Sequence, residues 1–204
     1  MDFLFLFFIL GIIVVVPIHF LSVEHIRIEQ KYGKNKGRKI GNTLSLISGW
    51  GFFAFWAGIW FSPQPRFTTP LLTNWMIAIS SLNFSIPIVH LAVFVFFFPI
   101  SVWLGIAGVK ETTLKVAETH RAEKIITSGV YSTVRHPQYL AGMLAHIGIS
   151  FLCSAWLSLF STPLMILLVF LISKKEETEL TMEFGNEYSS YKKRVPMLIP
   201  KIGR

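Results

Sequence analysis

The sequence predicts an all-α membrane protein of about five transmembrane helices that ends in a helical hairpin. Three observations carry that expectation. Of the 204 residues, 52% are apolar and only 15% are charged, a balance too greasy for an ordinary soluble domain. Several apolar runs reach or approach the roughly 20 residues needed to cross a hydrocarbon core as helix. Lys and Arg, moreover, gather in the loops that five spans would place on one side, as cytoplasmic loops do.

The first run covers residues 4–21. It lacks the basic start and small-residue cleavage site of a signal peptide, so a retained helix is expected. Residues 40–61 and 86–109 supply the second and third spans. The fourth run, 140–172, is long enough for two passes, and its middle, "LCSAWLS", has the small and polar residues of a tight turn. This predicts an antiparallel hairpin with arms near 139–153 and 156–173. With the N-terminus outside, every Lys and Arg except Arg66 then falls on the cytoplasmic side. Residues 71–84 compete for a sixth span, but a sixth would send the basic loop at 110–137 to the opposite face. They are therefore expected to form an interfacial or re-entrant helix. The chain divides into an N-terminal part, 1–122, with three spans, and a C-terminal part, 123–204, holding the hairpin.

Some features read as structure. Cys153 is the single cysteine, which excludes an internal disulfide and a cysteine-built zinc site, and no metal-ligand set is visible. Pro87, Pro99 and Pro163 sit in or at the ends of spans, where they bend or start helices. The formal charge of +8 lacks the basic stripe with aromatic readers expected for nucleic acid, and suits anionic membrane lipid instead. His90 and His146 lie within spans, where an ionisable group is expensive and a functional candidate. For His90 a neutral, hydrogen-bonded packing role is expected. His146 shares a helical face with Tyr139, Gly142 and Met143 and is a candidate for contact with substrate.

The chemistry concentrates in two juxtamembrane stretches. One is "EKIITSGVYSTVRHPQY", residues 123–139; the other is "KKEETELTMEFGNEYSSYKKRVPMLIP", residues 174–200. They leave opposite ends of the hairpin, so antiparallel packing brings Arg135, His136 and Tyr139 near Glu176 and Glu177. The set offers cationic and planar donors, two tyrosine rings at Tyr131 and Tyr139, and a carboxylate pair. It suits an amphoteric ligand with a flat ring, an ammonium and a carboxylate. The same residues also read as a basic membrane anchor with a Gly-centred turn.

The joint pattern "TSGVYSTVRHPQYLAG", an apolar hairpin, then "EETELTMEFGNEYSSYKKRVPMLIP" resembles the integral-membrane methyltransferases. These include the isoprenylcysteine carboxyl methyltransferases and are related to the phospholipid N-methyltransferases. The resemblance covers roughly 123–200 and implies a cytoplasmic juxtamembrane pocket for S-adenosylmethionine. It assigns cofactor contacts to Glu123, Lys124, Ile125, Ile126, Tyr131, His136, Pro137, Gln138, Tyr139 and Glu176, with Arg135 and Glu177 as positioning groups and no residue acting as nucleophile. A lipophilic acceptor would enter from the bilayer, most simply a prenylcysteine-type carboxylate, with a phospholipid amine or small thiol as rivals. The sequence departs from relatives at Ile172, where prenylcysteine-methylating members carry a substrate-binding arginine. Lys174 or Lys175 could stand in from the next turn. Val116 stands near the place of a cofactor-binding glutamine, and Glu123 replaces a histidine, with His120 and Arg121 close by. An NADPH-dependent sterol-type reductase and a non-enzymatic lipid-binding scaffold are the competing classes, and oligomeric state is left open.

Overall fold

The computed structural model describes residues 3–71, 75–79, 84–119 and 124–201. Helix α1 (Phe3–Val23) is apolar all round, as lipid-facing helices are. Its buried residues, including Ile12, Val15, Val16 and His19, face the bundle, while Leu10, Ile13 and Val14 are exposed. Helix α2 (His25–Tyr32) is short and half polar. It folds back along the start of α3 (Lys34–Phe61), and Gly37 makes this possible. A Cβ there would stand 2.7 Å from the Glu29 Cα, closer than packed backbones allow.

Next come strands β1 (Met76–Ile79) and β2 (Phe84–Pro87), then α4 (Ile88–Thr112) and the short α5 (Leu114–Thr119). Met76 pairs with Pro87 and Ile79 with Phe84 in an antiparallel ladder. The helix expected somewhere in 71–84 is thus replaced, over its described residues, by paired strands. The β-branched Ile77, Ile79 and Ile86 favour extended backbone.

A 3₁₀ turn (Gly129–Ser132) leads to α6 (Pro137–Leu152), α7 (Trp156–Phe160), α8 (Thr162–Phe184) and α9 (Asn186–Arg194). The hairpin expected from the sequence is present, but its second arm is broken. The stretch 156–160 is a separate helical turn, and Thr162-Pro163 begins α8 afresh, since proline suits a first helical turn. Pro87 likewise precedes a helix, and Pro99 lies inside α4. Ser161 and Thr162 turn their hydroxyls back onto the carbonyls of Ser158 and Leu159 at 2.7 and 2.6 Å, closing the break.

Among the described residues, α1, α3 and α4 are long and apolar enough to cross a membrane. Helix α6 has 16 residues, about 24 Å at 1.5 Å per residue, and the apolar part of α8 ends near Ser173. Helices α1, α3 and α8 share one core, with Ile12 and Val16 against Ile59 and Trp60 and against Met165 and Val169. Helices α4 and α6 pack together around Leu104 and Ala141.

Far from the polar stretches, the segment after α3 clamps the α6–α7 turn. Phe67 N–H donates to the Ser154 carbonyl at 3.0 Å and Trp156 N–H to that of Pro65 at 3.1 Å. Gln64 bridges the same region, donating to the Ile59 carbonyl and accepting from Ser158 N–H, each at 2.8 Å. His90, fully buried, is 2.9 Å from the Ser154 hydroxyl and packs against the Phe67 ring at a tilt of 38°, the packing role expected of it.

His146 has a structural place of its own. Its Nδ1 accepts from the indole N–H groups of both Trp56 and Trp60, at 2.9 and 2.8 Å. His146→Leu would leave buried indole donors without their acceptor and should cost about 2 kcal/mol. Unfolding of the detergent-solubilised variant measures it; an unchanged midpoint would show that the indoles find other acceptors.

Candidate functional site

The two polar stretches meet where α6 begins and the apolar part of α8 ends. Arg135 is 9% exposed and Glu177 fully buried. The guanidinium Nε donates to Glu177 Oε1 at 2.6 Å, and Nη1 donates to the carbonyls of Lys192, at 3.0 Å, and Val195. His136 Nε2 lies 3.3 Å from the same Glu177 oxygen, and Lys192 Nζ pairs with Oε2 at 3.1 Å. Burial pushes the Glu177 carboxyl up, but the hydrogen bonds and charges of His136 and Arg135 outweigh it and hold it at about 2. Arg135 and Glu177 therefore form a buried strut.

The chain after α9 completes that strut with backbone bonds. Arg135 N–H donates to the Pro196 carbonyl at 2.9 Å and His136 N–H to that of Met197 at 3.1 Å. Tyr191 donates its hydroxyl to the Tyr131 carbonyl at 2.6 Å. Burial raises the phenols of Tyr131, Tyr188 and Tyr191 above their ordinary value. All three remain protonated donors at neutral pH.

Glu176, one residue from Glu177, faces a cavity of about 1020 Å³. Its Oε1 accepts from the Tyr139 hydroxyl and lies 3.1 Å from His19 Nε2, while His136 Nδ1 stands 3.6 Å from Oε2. The His136 and Tyr139 rings stack, with centroids 5.6 Å apart. Gln138 reaches toward Thr112 and Tyr131 at 3.3 and 3.4 Å. Gly129 has φ +53°, and a Cβ there would run into the Glu111 carboxylate, which accepts the Val130 N–H at 3.1 Å. That glycine lets the 3₁₀ turn close onto α4.

The cavity wall includes Lys124, Ile125, Ile126, Tyr131, Arg135, His136, Pro137, Gln138, Tyr139, Ile172 and Glu176. Glu123 lies outside the described residues. Glu177 does not line the cavity; it stands behind the wall, holding Arg135 and His136. His146 does not line it either, because it turns toward the tryptophans, and Trp56 is the residue presented to the cavity. The structure thus places His146, the residue expected to meet substrate, behind Trp56 rather than at the cavity surface. Neither Lys174 nor Lys175 replaces the missing arginine at the wall: Lys174 is exposed, and Lys175 is bound to Glu24 at 2.8 Å and Glu179 at 3.1 Å.

Several wall residues were not singled out from the sequence. His19, His25, Arg38 and Asn42 come from α1 to α3, and Glu111, Glu118, Glu179 and Glu183 add carboxylates to Glu176. The protein is strongly basic, yet among the described residues these glutamates face only Arg38, Lys124 and Arg135 of the Lys and Arg at the wall, and Arg135 is bound to Glu177. His19 had a visible signal, an ionisable residue inside an apolar helix. The glutamates had none, since only the fold brings α4, α5 and α8 together.

At its other end the cavity becomes apolar. Trp50, Phe53 and Trp56 of α3 face Ser101, Gly105 and Val109 of α4, with Ala141, Gly142 and Ala145 of α6 between them. Trp50 and Phe53 are themselves exposed, so this end opens sideways between α3 and α4. One continuous space joins a polar mouth to an apolar gap between α3 and α4.

Comparison with known proteins agrees with this geometry. Residues 89–187, from α4 to the start of α9, match the family described as phospholipid methyltransferase. Through this region, just under half of the chain, the protein is similar to that family. It is 31% identical over 100 residues to the protein-S-isoprenylcysteine O-methyltransferase of Schizosaccharomyces pombe, covering 47% of this chain and 41% of the relative. To the Homo sapiens protein of the same name it is 36% identical over 87 residues, 42% of this chain and 30% of the relative. The methanethiol S-methyltransferase of Crocosphaera subtropica is 35% identical over 81 residues, 40% of this chain and 31% of the relative. The matches thus span well under half the length of these relatives. The family region holds the hairpin, the Arg135–Glu177 strut and Glu176, whereas α1, α2 and α3 lie before it.

Proposed function

We propose that this protein transfers a methyl group from S-adenosylmethionine to a lipid-like acceptor that reaches the cavity from the bilayer. The observation that carries the reading is the acidic polar mouth joined to a lateral apolar gap. A sulfonium donor with an ammonium group is cationic at its reacting end and suits a wall of glutamates. The phosphate-rich NADPH does not, which disfavours the reductase. A scaffold that only bound anionic lipid would have no use for an acidic internal cavity.

The donor supplies an activated methyl group on a positively charged sulfur. The chain's own residues position and exclude. Glu176, flanked by Tyr139, His136 and His19, offers the carboxylate for the donor's ammonium group, which S-adenosylhomocysteine also carries. The His136–Tyr139 stack and Tyr131 form flat walls, and the Arg135–Glu177 strut keeps the backbone at the start of α6 in place. In-line displacement needs alignment above all, and good alignment of reactants contributes about 7–11 kcal/mol. A carboxylate acceptor needs no base, whereas an amine or thiol must first lose a proton. In this reading the protein has five spans, with the N-terminus outside and the cavity mouth cytoplasmic, and 123–204 carries most of the donor site.

For the acceptor, the relatives' names put a prenylcysteine-type carboxylate first. A second reading, an uncharged small thiol, is favoured by Ile172, which is 3% exposed in the cavity wall, and by the engagement of Lys175 elsewhere. The test is thermal melting of the full chain in detergent with S-adenosylhomocysteine and NADPH in parallel. Stabilisation by S-adenosylhomocysteine alone is expected, about 2.7 kcal/mol at a hundredfold excess over Kd. No stabilisation, or a larger effect of NADPH, would reject the reading.

A further inference from the structure

Glu176 is held from two directions. Tyr139 comes from α6, inside the family region, but His19 comes from α1, which precedes that region. His19 is 5% exposed and still lines the cavity. Facing a carboxylate oxygen at 3.1 Å, its Nε2 acts as the donor. His19 and Tyr139 therefore converge on Oε1, which fixes the plane of the carboxylate, and Oε2 is turned toward His136.

This contact is not needed to dock α1 on α8. Ile12 and Val16 already pack with Met165 and Val169, and Glu24, just beyond α1, binds Lys175 of α8 at 2.8 Å. An imidazole buried near the end of an apolar helix is expensive unless it has work to do. Here it meets a carboxylate that faces the cavity and also accepts from Tyr139.

We propose that His19 is a positioning residue of the donor site, holding the Glu176 carboxylate in the orientation that receives the ammonium group of the methyl donor. The inference rests on the methyltransferase reading. It adds that the family region does not complete its own site: the first membrane helix supplies part of it. His19 touches Glu176 and acts through it.

The experiment is calorimetric titration of the full detergent-purified chain with S-adenosylhomocysteine, in wild type, His19→Leu, His19→Gln and His19→Asn. The glutamine amide reaches about as far as the imidazole Nε2, whereas the asparagine amide stops short of it. His19→Leu and His19→Asn should weaken binding about tenfold or more, and His19→Gln should restore it to within about threefold, the range expected for one hydrogen bond to a charged group. In a Glu176→Gln background, where the charge is already gone, His19→Leu should add little. If the leucine variant misfolds, the comparison of glutamine with asparagine decides. Wild-type affinity in the leucine or asparagine variant overturns the proposal, as does an equal loss with and without the Glu176 charge. Failure of the wild type to bind S-adenosylhomocysteine is a different result, and it rejects the methyltransferase reading itself.

Discussion

Replacing Arg135 with leucine should destabilise the protein by about 3–5 kcal/mol, because it leaves the fully buried Glu177 carboxylate without its closest cation. The loss also removes two bonds to the carbonyls of Lys192 and Val195, so the segment after α9 should loosen first. Lys192 remains on Glu177, but that lysine is 46% exposed and solvent screens its charge. Chemical unfolding in detergent measures the total, and hydrogen exchange at 190–198 locates it. A variant as stable as wild type would mean that His136 and Lys192 suffice.

The same strut has a pH signature. Glu177 is held at about 2 against an ordinary 4.5. A depressed carboxyl stabilises the fold above the unfolded value and loses that stabilisation as pH falls through the folded one. The stability difference between wild type and Glu177→Gln should therefore be constant from neutral pH to about 5 and shrink between about 4.5 and 2. A gap that widened in acid would place the low value elsewhere.

Glu176→Gln should have a small effect on folding and a large one on ligand. Tyr139 and His19 still find an amide oxygen at nearly the same place, so the melting temperature should change little. The charge is lost, and truncating one partner of a desolvated charged pair typically costs 2–5 kcal/mol. S-adenosylhomocysteine should bind about a hundredfold more weakly. Glu177→Gln should behave in the opposite way, with lower stability and a smaller change in affinity per ligand-competent molecule. Two adjacent carboxylates would then separate into one for the fold and one for the site. Equal behaviour of the two variants would contradict that division.

Spacing alone presents Glu176 and Glu177 as one pair suited to a cation, and only the family resemblance set Glu176 at the cofactor with Glu177 as a positioning group. Successive residues on a helix point about 100° apart, so one of them had to face away from whatever the other faced. Which one did was a matter of where α6 and α9 pack. Similarly, His146 lies on the same helical face as Tyr139 by periodicity, but two indoles from α3 claim it. Ile172 fared differently: its position one turn before Glu176 puts it at the wall in any helix that also presents Glu176.

What the sequence determined by itself is everything that depends on local runs and chain order. Apolar length made the helices of the bundle, small and polar residues made the turn of the hairpin, and antiparallel return brought the "RHPQY" stretch to the "EE" pair. The tertiary structure alone decided which distant elements share the cavity: His19 and Arg38 from the N-terminal helices, Glu111 beside the 3₁₀ turn, Glu118 of α5, and the open gap between α3 and α4. Hydropathy marks a helix as buried or lipid-facing without naming its neighbours. Neighbours are chosen by packing of side chains from residues far apart in the chain, and the glutamate-lined wall of a basic protein follows from that packing.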